Sequence, residues 1–246
     1  MGAKSVSSTR PAWYSLAPGG WRDYITLLHL PYTLWHLSYV AVGAALAPEL
    51  RTDRLGWTLL AFFLAMGVGA HALDELQGRP LETSIPGSAL VGLSAGSIGG
   101  AVAIGIWAGF AWTAWLLPCV ALGGFLVVAY NLELFGGRFH DPVWFALGWG
   151  AFPVLTAFLA SAERLALEAV LAGLFALLTS LVQQQLSAQV RLVRRRVRAV
   201  SGRLELWDAE AVPVTTELLL RAPERALQTL AVGMVTLALA LIVLRL

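Results

Sequence analysis

Ser88-Ala-Leu-Val-Gly-Leu-Ser-Ala-Gly-Ser-Ile-Gly-Gly-Ala-Val-Ala-Ile-Gly-Ile-Trp-Ala-Gly109 runs for 22 residues without a charged side chain. As a helix rising about 1.5 Å per residue, it is long enough to cross a hydrocarbon core of roughly 30 Å. Six more apolar runs surround it, at Tyr24–Ala47, Leu55–Leu76, Ala111–Phe135, Pro142–Ala160, Ala166–Gln189 and Pro223–Leu244. In lipid a spanning segment must satisfy its own backbone hydrogen bonds, so each run reads as a helix. The runs are continuous rather than alternating, which excludes an outer-membrane barrel. The sequence therefore predicts an all-α, polytopic membrane bundle of about seven transmembrane helices. Composition agrees. The chain is 58% hydrophobic and 13% charged, where a soluble domain carries about 25% charged residues. A net charge of +2 is too small for a nucleic-acid partner.

Positive charge orients the bundle. With the N-terminus in the cytoplasm, thirteen of the seventeen cationic residues fall on that side, including Lys4 and the eight arginines from Arg191 to Arg225. Residues 1–23 then read as a cytoplasmic tail, and 24–246 as one transmembrane domain with a basic cytoplasmic loop at about 191–222. The expected location is the plasma membrane. Arg194, Arg195, Arg196 and Arg198 read as topology anchors that contact anionic membrane lipids. Gly92, Gly96 and Gly100, then Gly105 and Gly109, have the spacing of close helix packing. Cys119 is the single cysteine, so no internal disulfide or cysteine-based zinc site is open to the chain.

Ionisable groups at membrane depth are costly and mark function. Three polar segments follow even-numbered spans and so fall on one face. The first is His71-Ala-Leu-Asp-Glu-Leu-Gln-Gly-Arg79. There His71 and Asp74 share a helical face beside Glu75, a group that suits a divalent cation; Asp74 could equally pair with Arg79. The second holds Tyr130, Glu133, His140 and Asp141, where Asp141 before Pro142 suits a helix N-cap and His140 a loop. The third is a stripe of Ser180, Gln184, Ser187 and Arg191, spaced to share one helix face; Arg191 could clamp a phosphate or carboxylate. His29, Thr33 and His36 share a face of the first span and read as packing.

The order of these features resembles the UbiA superfamily of intramembrane prenyltransferases over roughly residues 24–190. Pro31-Tyr-Thr33-Leu34 is similar to that family's opening Pro-x-Thr-Leu helix, and Arg79-Pro80-Leu81 to the Arg-Pro-Leu after its first aspartate-rich motif. Tyr130-Asn-Leu-Glu-Leu stands at its Tyr-x-x-x-Lys, and Leu147-Gly-Trp-Gly-Ala-Phe-Pro153 at its Gly/Trp/Pro helix. The resemblance implies transfer of a polyprenyl group from a polyprenyl diphosphate to a lipophilic acceptor, with bound Mg2+. It implies Asp74 and His71 as metal ligands and Asp74, Glu75, Tyr130 and Glu133 as catalytic groups. Arg79, Gln184 and Arg191 would meet the phosphates. The departures are specific. Ala70, His71 and Gly78 replace the other residues of the first acidic motif, Leu134 replaces the lysine, and Gln, Ser and Arg replace the second acidic motif. Two further expectations stand beside transfer: a non-catalytic isoprenoid or lipid binder, and a small proton-coupled transporter.

Overall fold

A computed structural model describes residues 10–246; Lys4 and the start of the tail lie outside the described residues. The helices are α1 (Trp21–Leu27), α2 (Leu30–Leu46), α3 (Thr52–Leu76), α4 (Gly87–Ala111), α5 (Leu116–Asn131), α6 (Pro142–Ala162), α7 (Leu167–Arg196) and α8 (Thr216–Arg245). A small antiparallel hairpin, β1 (Arg203–Leu204) and β2 (Val212–Pro213), precedes α8. Five helices, α3, α4, α6, α7 and α8, are long and apolar enough to cross a membrane. The other two expected spans correspond to shorter helices: α5 has 16 residues and α2 has 17. The run Tyr24–Ala47 is broken because Pro31 lacks an N–H and its ring would collide with the Leu27 carbonyl. The chain turns at His29, whose φ is 46°, and restarts with Pro31 in the first turn of α2.

Helix α2 is the centre of the bundle and packs on α8, α6, α3 and α7. Gly43 makes this possible: a Cβ there would lie 2.2 Å from the Val154 carbonyl oxygen of α6. Gly150 of α6 meets the Ala176 backbone of α7 in the same way. The glycines expected to pack along α4 divide. Gly105 and Gly109 lie against Val120 and Leu117 of α5, whereas Gly92 and Gly96 face open space. Helix α4 stands at the edge of the bundle, so its outer face, with Val91, Ile106 and Phe110, is exposed as a lipid-facing surface would be.

Two helices widen into π segments, α3 over Phe63–Ala70 and α6 over Ala146–Ala151. Such segments gather at functional sites. In each, a histidine ring takes a carbonyl: His71 Nδ1 lies 3.1 Å from the Gly67 oxygen and His36 Nδ1 2.9 Å from the Trp149 oxygen. Asp141 caps α6 as expected, accepting the Trp144 amide at 2.8 Å.

The loop from α3 to α4 is held by two carboxylates. Glu75 is fully buried and accepts hydrogen bonds from the Leu81 amide (3.0 Å), the Thr83 amide (2.9 Å) and the Thr83 hydroxyl (2.8 Å). Arg79 donates to the Thr83 and Ile85 carbonyls at 3.2 and 2.6 Å. Asp23 of α1 accepts from the amides of Gly19 and Ser84 and from the Ser84 hydroxyl. Burial opposes its charge, but the bonds from Ser84 and Gly19 outweigh that and hold the carboxyl below its ordinary value of 3.8. The tie should therefore be at full strength above pH 3.8 and fade as pH falls through the lowered value. Hydrogen exchange at the Ser84 amide should rise steeply on that acid limb, and Asp23→Asn should remove the pH dependence.

Candidate functional site

A cavity of about 300 Å³ opens at the arginine-rich end of the bundle. Four helices set its walls, the widened α3 and α6 among them: α3 brings His71 and Asp74, α5 Tyr130, α6 Phe145 and Trp149, and α7 Gln183, Gln184, Ser187 and Arg191. Glu133 and His140 come from the loop between α5 and α6. His71, Asp74, Tyr130, Glu133, Gln184 and Arg191, which the sequence singled out on three separate segments, thus converge on one space. Glu75 and Arg79 do not. They point the other way and hold the loop after α3, which accounts for the hydrogen bonds of both. The expected catalytic role of Glu75 and phosphate role of Arg79 have no access to this cavity.

All four histidines of the chain line it. His29 and His71 stack at 4.0 Å with planes 10° apart. Tyr14 places its hydroxyl 2.9 Å from His29 Nδ1. Burial pushes that phenol well above its ordinary pKa, so it stays protonated, and the direction of the bond follows the tautomer of His29. His36 gives Nδ1 to Trp149, and its Nε2 faces the Gln183 amide nitrogen at 3.5 Å. Gln183 is 3% exposed, and its side-chain oxygen has no partner among the described residues. A buried acceptor left bare is costly, and this one borders a cavity where a ligand N–H or O–H could reach it. His140 stacks on Tyr130 at 4.4 Å and lies 4.0 Å from the exposed Glu133 carboxylate. The Asp74 carboxylate has no hydrogen-bond or ion-pair partner among the described residues, and the residue lines the cavity.

The mouth is partly covered by the start of the described chain. Pro11, Ala12, Trp13 and Tyr14 lie across it. Arg194 donates to the Arg10 carbonyl at 3.1 Å and Arg195 to the Pro11 carbonyl at 3.3 Å. From sequence alone this segment is tail, Arg195 an anchor, His140 a loop residue and the first-span histidines packing. The shared face of His29 and His36 was the available signal, since a histidine pair on a buried face can line a cavity as well as fill a core.

A second cavity, of about 110 Å³, is almost wholly apolar. It lies among α3, α4, α5 and α6, with Trp57, Met66, Trp112 and Phe152 in its walls. Trp149 lines both cavities. Its indole is 5% exposed and packs on Tyr130 and Phe145.

The donors do not suit a resident Mg2+. Magnesium takes about six oxygen ligands, water and substrate phosphate among them, and needs one or two carboxylates from the protein to stay bound; among the described residues no three His, Cys, Asp or Glu side chains group to hold a metal. Asp74 is the one carboxylate inside. His71, expected as its partner ligand, gives Nδ1 to the Gly67 carbonyl and stacks on His29, which leaves Nε2 as its one nitrogen open to a ligand, a nitrogen donor where Mg2+ prefers oxygen. No protein family, curated protein or solved structure matches the chain.

Proposed function

We propose that this is an integral membrane prenyltransferase of the UbiA kind, acting on a polyprenyl diphosphate and a lipophilic acceptor. The observation that carries the reading is the convergence of Asp74, Tyr130, Gln184 and Arg191 on one cavity that shares Trp149 with an apolar one. A headgroup in the polar space with its tail in the apolar space would set the prenyl C–O bond between them. In the reaction that bond breaks and its electron pair leaves on pyrophosphate. The same carbon bonds to the nucleophilic atom of the acceptor, and the acceptor's proton passes to Asp74. Arg191 draws the leaving charge, as fixed cations do for a developing anion. Tyr130 orients the headgroup, and Gln183 takes the hydrogen-bond donor of the acceptor. The reading places the protein in the cell membrane with its N-terminus and arginine-rich end in the cytoplasm.

The test is pyrophosphate release from geranylgeranyl or farnesyl diphosphate by the full chain in lipid vesicles, with a membrane lipid extract as acceptor, with and without Mg2+. Release should fall about a hundredfold or more in Asp74→Asn, the usual loss with a general base. Absence of release from both substrates in both conditions would end the transferase reading. The thin donor set around Asp74 favours one second reading, a non-catalytic binder of the same lipids. It would retain the diphosphate on purification, release no pyrophosphate and bind equally well in Asp74→Asn.

A further inference from the structure

Helix α7 turns one polar face to the cavity, and its last two cavity-lining positions are Arg191 and Arg195, one turn apart. Arg191 is half-buried and donates to the Ser187 hydroxyl at 3.0 Å and to the Gln184 side-chain oxygen at 3.2 Å. These partners are neutral and on the same helix. They fix the guanidinium plane without cancelling its charge and leave three of its five N–H donors free. Arg195 stands at the mouth and holds the Pro11 carbonyl at 3.3 Å, its one hydrogen bond among the described residues. Neither guanidinium pairs with a carboxylate among those residues. The contrast with Arg194 is direct, since that side chain faces α8 and is held at both ends by Glu224. Among the described residues the cavity lining sets two carboxylates against the two cations, Asp74 within and Glu133 at the exposed rim with His140.

We propose that Arg191 and Arg195 form a two-guanidinium anchor for a phosphorylated headgroup, and that this anchor does the work a divalent cation would do. The inference rests on the reading above for the anionic headgroup but goes beyond it in what neutralises that group. Guanidinium forks bind phosphoryl oxygens two at a time, with short charge-assisted bonds. A phosphoryl oxygen is a stronger acceptor than the Pro11 carbonyl. On binding, Arg195 transfers from the segment across the mouth to the ligand, and the cover over the cavity loses one of its two ties to α7. Arg191, already braced by Ser187 and Gln184, receives the deeper oxygens.

The experiment is binding to the purified full chain, with geranylgeranyl diphosphate and inorganic pyrophosphate as separate probes, each in EDTA and in Mg2+. Affinity for the prenyl diphosphate should be the same in EDTA as in Mg2+. It should fall about tenfold or more in Arg195→Gln and in Arg191→Gln, the loss expected for hydrogen bonds to a charged group. Arg195→Lys should restore part of it, and Arg196→Gln, outside the cavity, should bind as the parent does. Competition by pyrophosphate would place the contact at the headgroup. Hydrogen exchange across residues 12–16 should rise with ligand in the parent and stay unchanged in Arg195→Gln. Binding abolished by EDTA and restored by Mg2+ would overturn the anchor, as would parental affinity in Arg195→Gln or binding of neither probe. The outcomes separate this claim from the enzymatic one. EDTA-resistant binding without pyrophosphate release refutes the transferase and keeps the anchor, whereas turnover with metal-dependent binding does the reverse.

Discussion

Glu75→Ala should unfold the loop after α3 and cost the protein about 3 kcal/mol or more, although its neighbour Asp74 tolerates the same change with little loss of stability. Three donors, the amides of Leu81 and Thr83 and the Thr83 hydroxyl, share the Glu75 carboxylate in a site with no exposure. Each buried donor left bare costs about 1–3 kcal/mol, and three together act as a unit. Gln at this position keeps one oxygen and should recover part of the loss. Asp74 makes no such bonds, so Asp74→Ala removes a group that faces a cavity and leaves nothing else unsatisfied. Thermal unfolding of the two variants in detergent, run beside pyrophosphate release, should dissociate them. Glu75→Ala loses its transition and its activity together, and Asp74→Ala loses activity alone. Equal melting temperatures would show that the loop does not depend on Glu75.

Gly43→Leu should be more damaging than any substitution in the apolar cavity. The added Cβ would fall 2.2 Å from the Val154 carbonyl oxygen and 3.0 Å from its carbon, so the obstacle is backbone and no rotamer relieves it. Overpacking typically costs about 1–3 kcal/mol, and here two helices must part along their contact. The shift also reaches the site. His36 lies two turns along α2 from Gly43, and its bond to the Trp149 carbonyl crosses from α2 to α6. Gly43→Ala should cost about 1–3 kcal/mol and weaken ligand binding; Gly43→Leu should prevent recovery of folded protein. Gly92→Ala, facing open space, is the control and should be neutral or slightly stabilising.

The helical membrane class was legible from one property, uncharged runs of spanning length, because lipid permits few alternatives. The end of the bundle that carries the cavity was legible as well, because Asp74, Tyr130, Glu133 and Arg191 each follow an apolar run of the same parity. Direction within a helix was harder to read. Asp74 and Glu75 are adjacent and chemically alike, and only the loop that folds back onto Glu75 decides that one is structural and the other faces the cavity. Arg79 is hard to place for the same reason, since its partners are the carbonyls of Thr83 and Ile85, residues that carry no signal. The π segments have no sharp sequence mark beyond paired glycines, Gly67 and Gly69 in one and Gly148 and Gly150 in the other. The residues before α1 read as tail because nothing in Pro11–Tyr14 has a period. They are held there by arginines 184 positions away in the chain.

The indole of Trp149 has a consequence for any amphiphile long enough to occupy both spaces. A residue shared by a wet chamber and a greasy one would mark the depth at which the molecule's polar-to-oily junction came to rest. Homologues with longer or shorter tails would differ only on the far side of that junction. The bundle would act as a depth gauge, presenting the same chemical bond at the same level whatever length of hydrocarbon trails behind it.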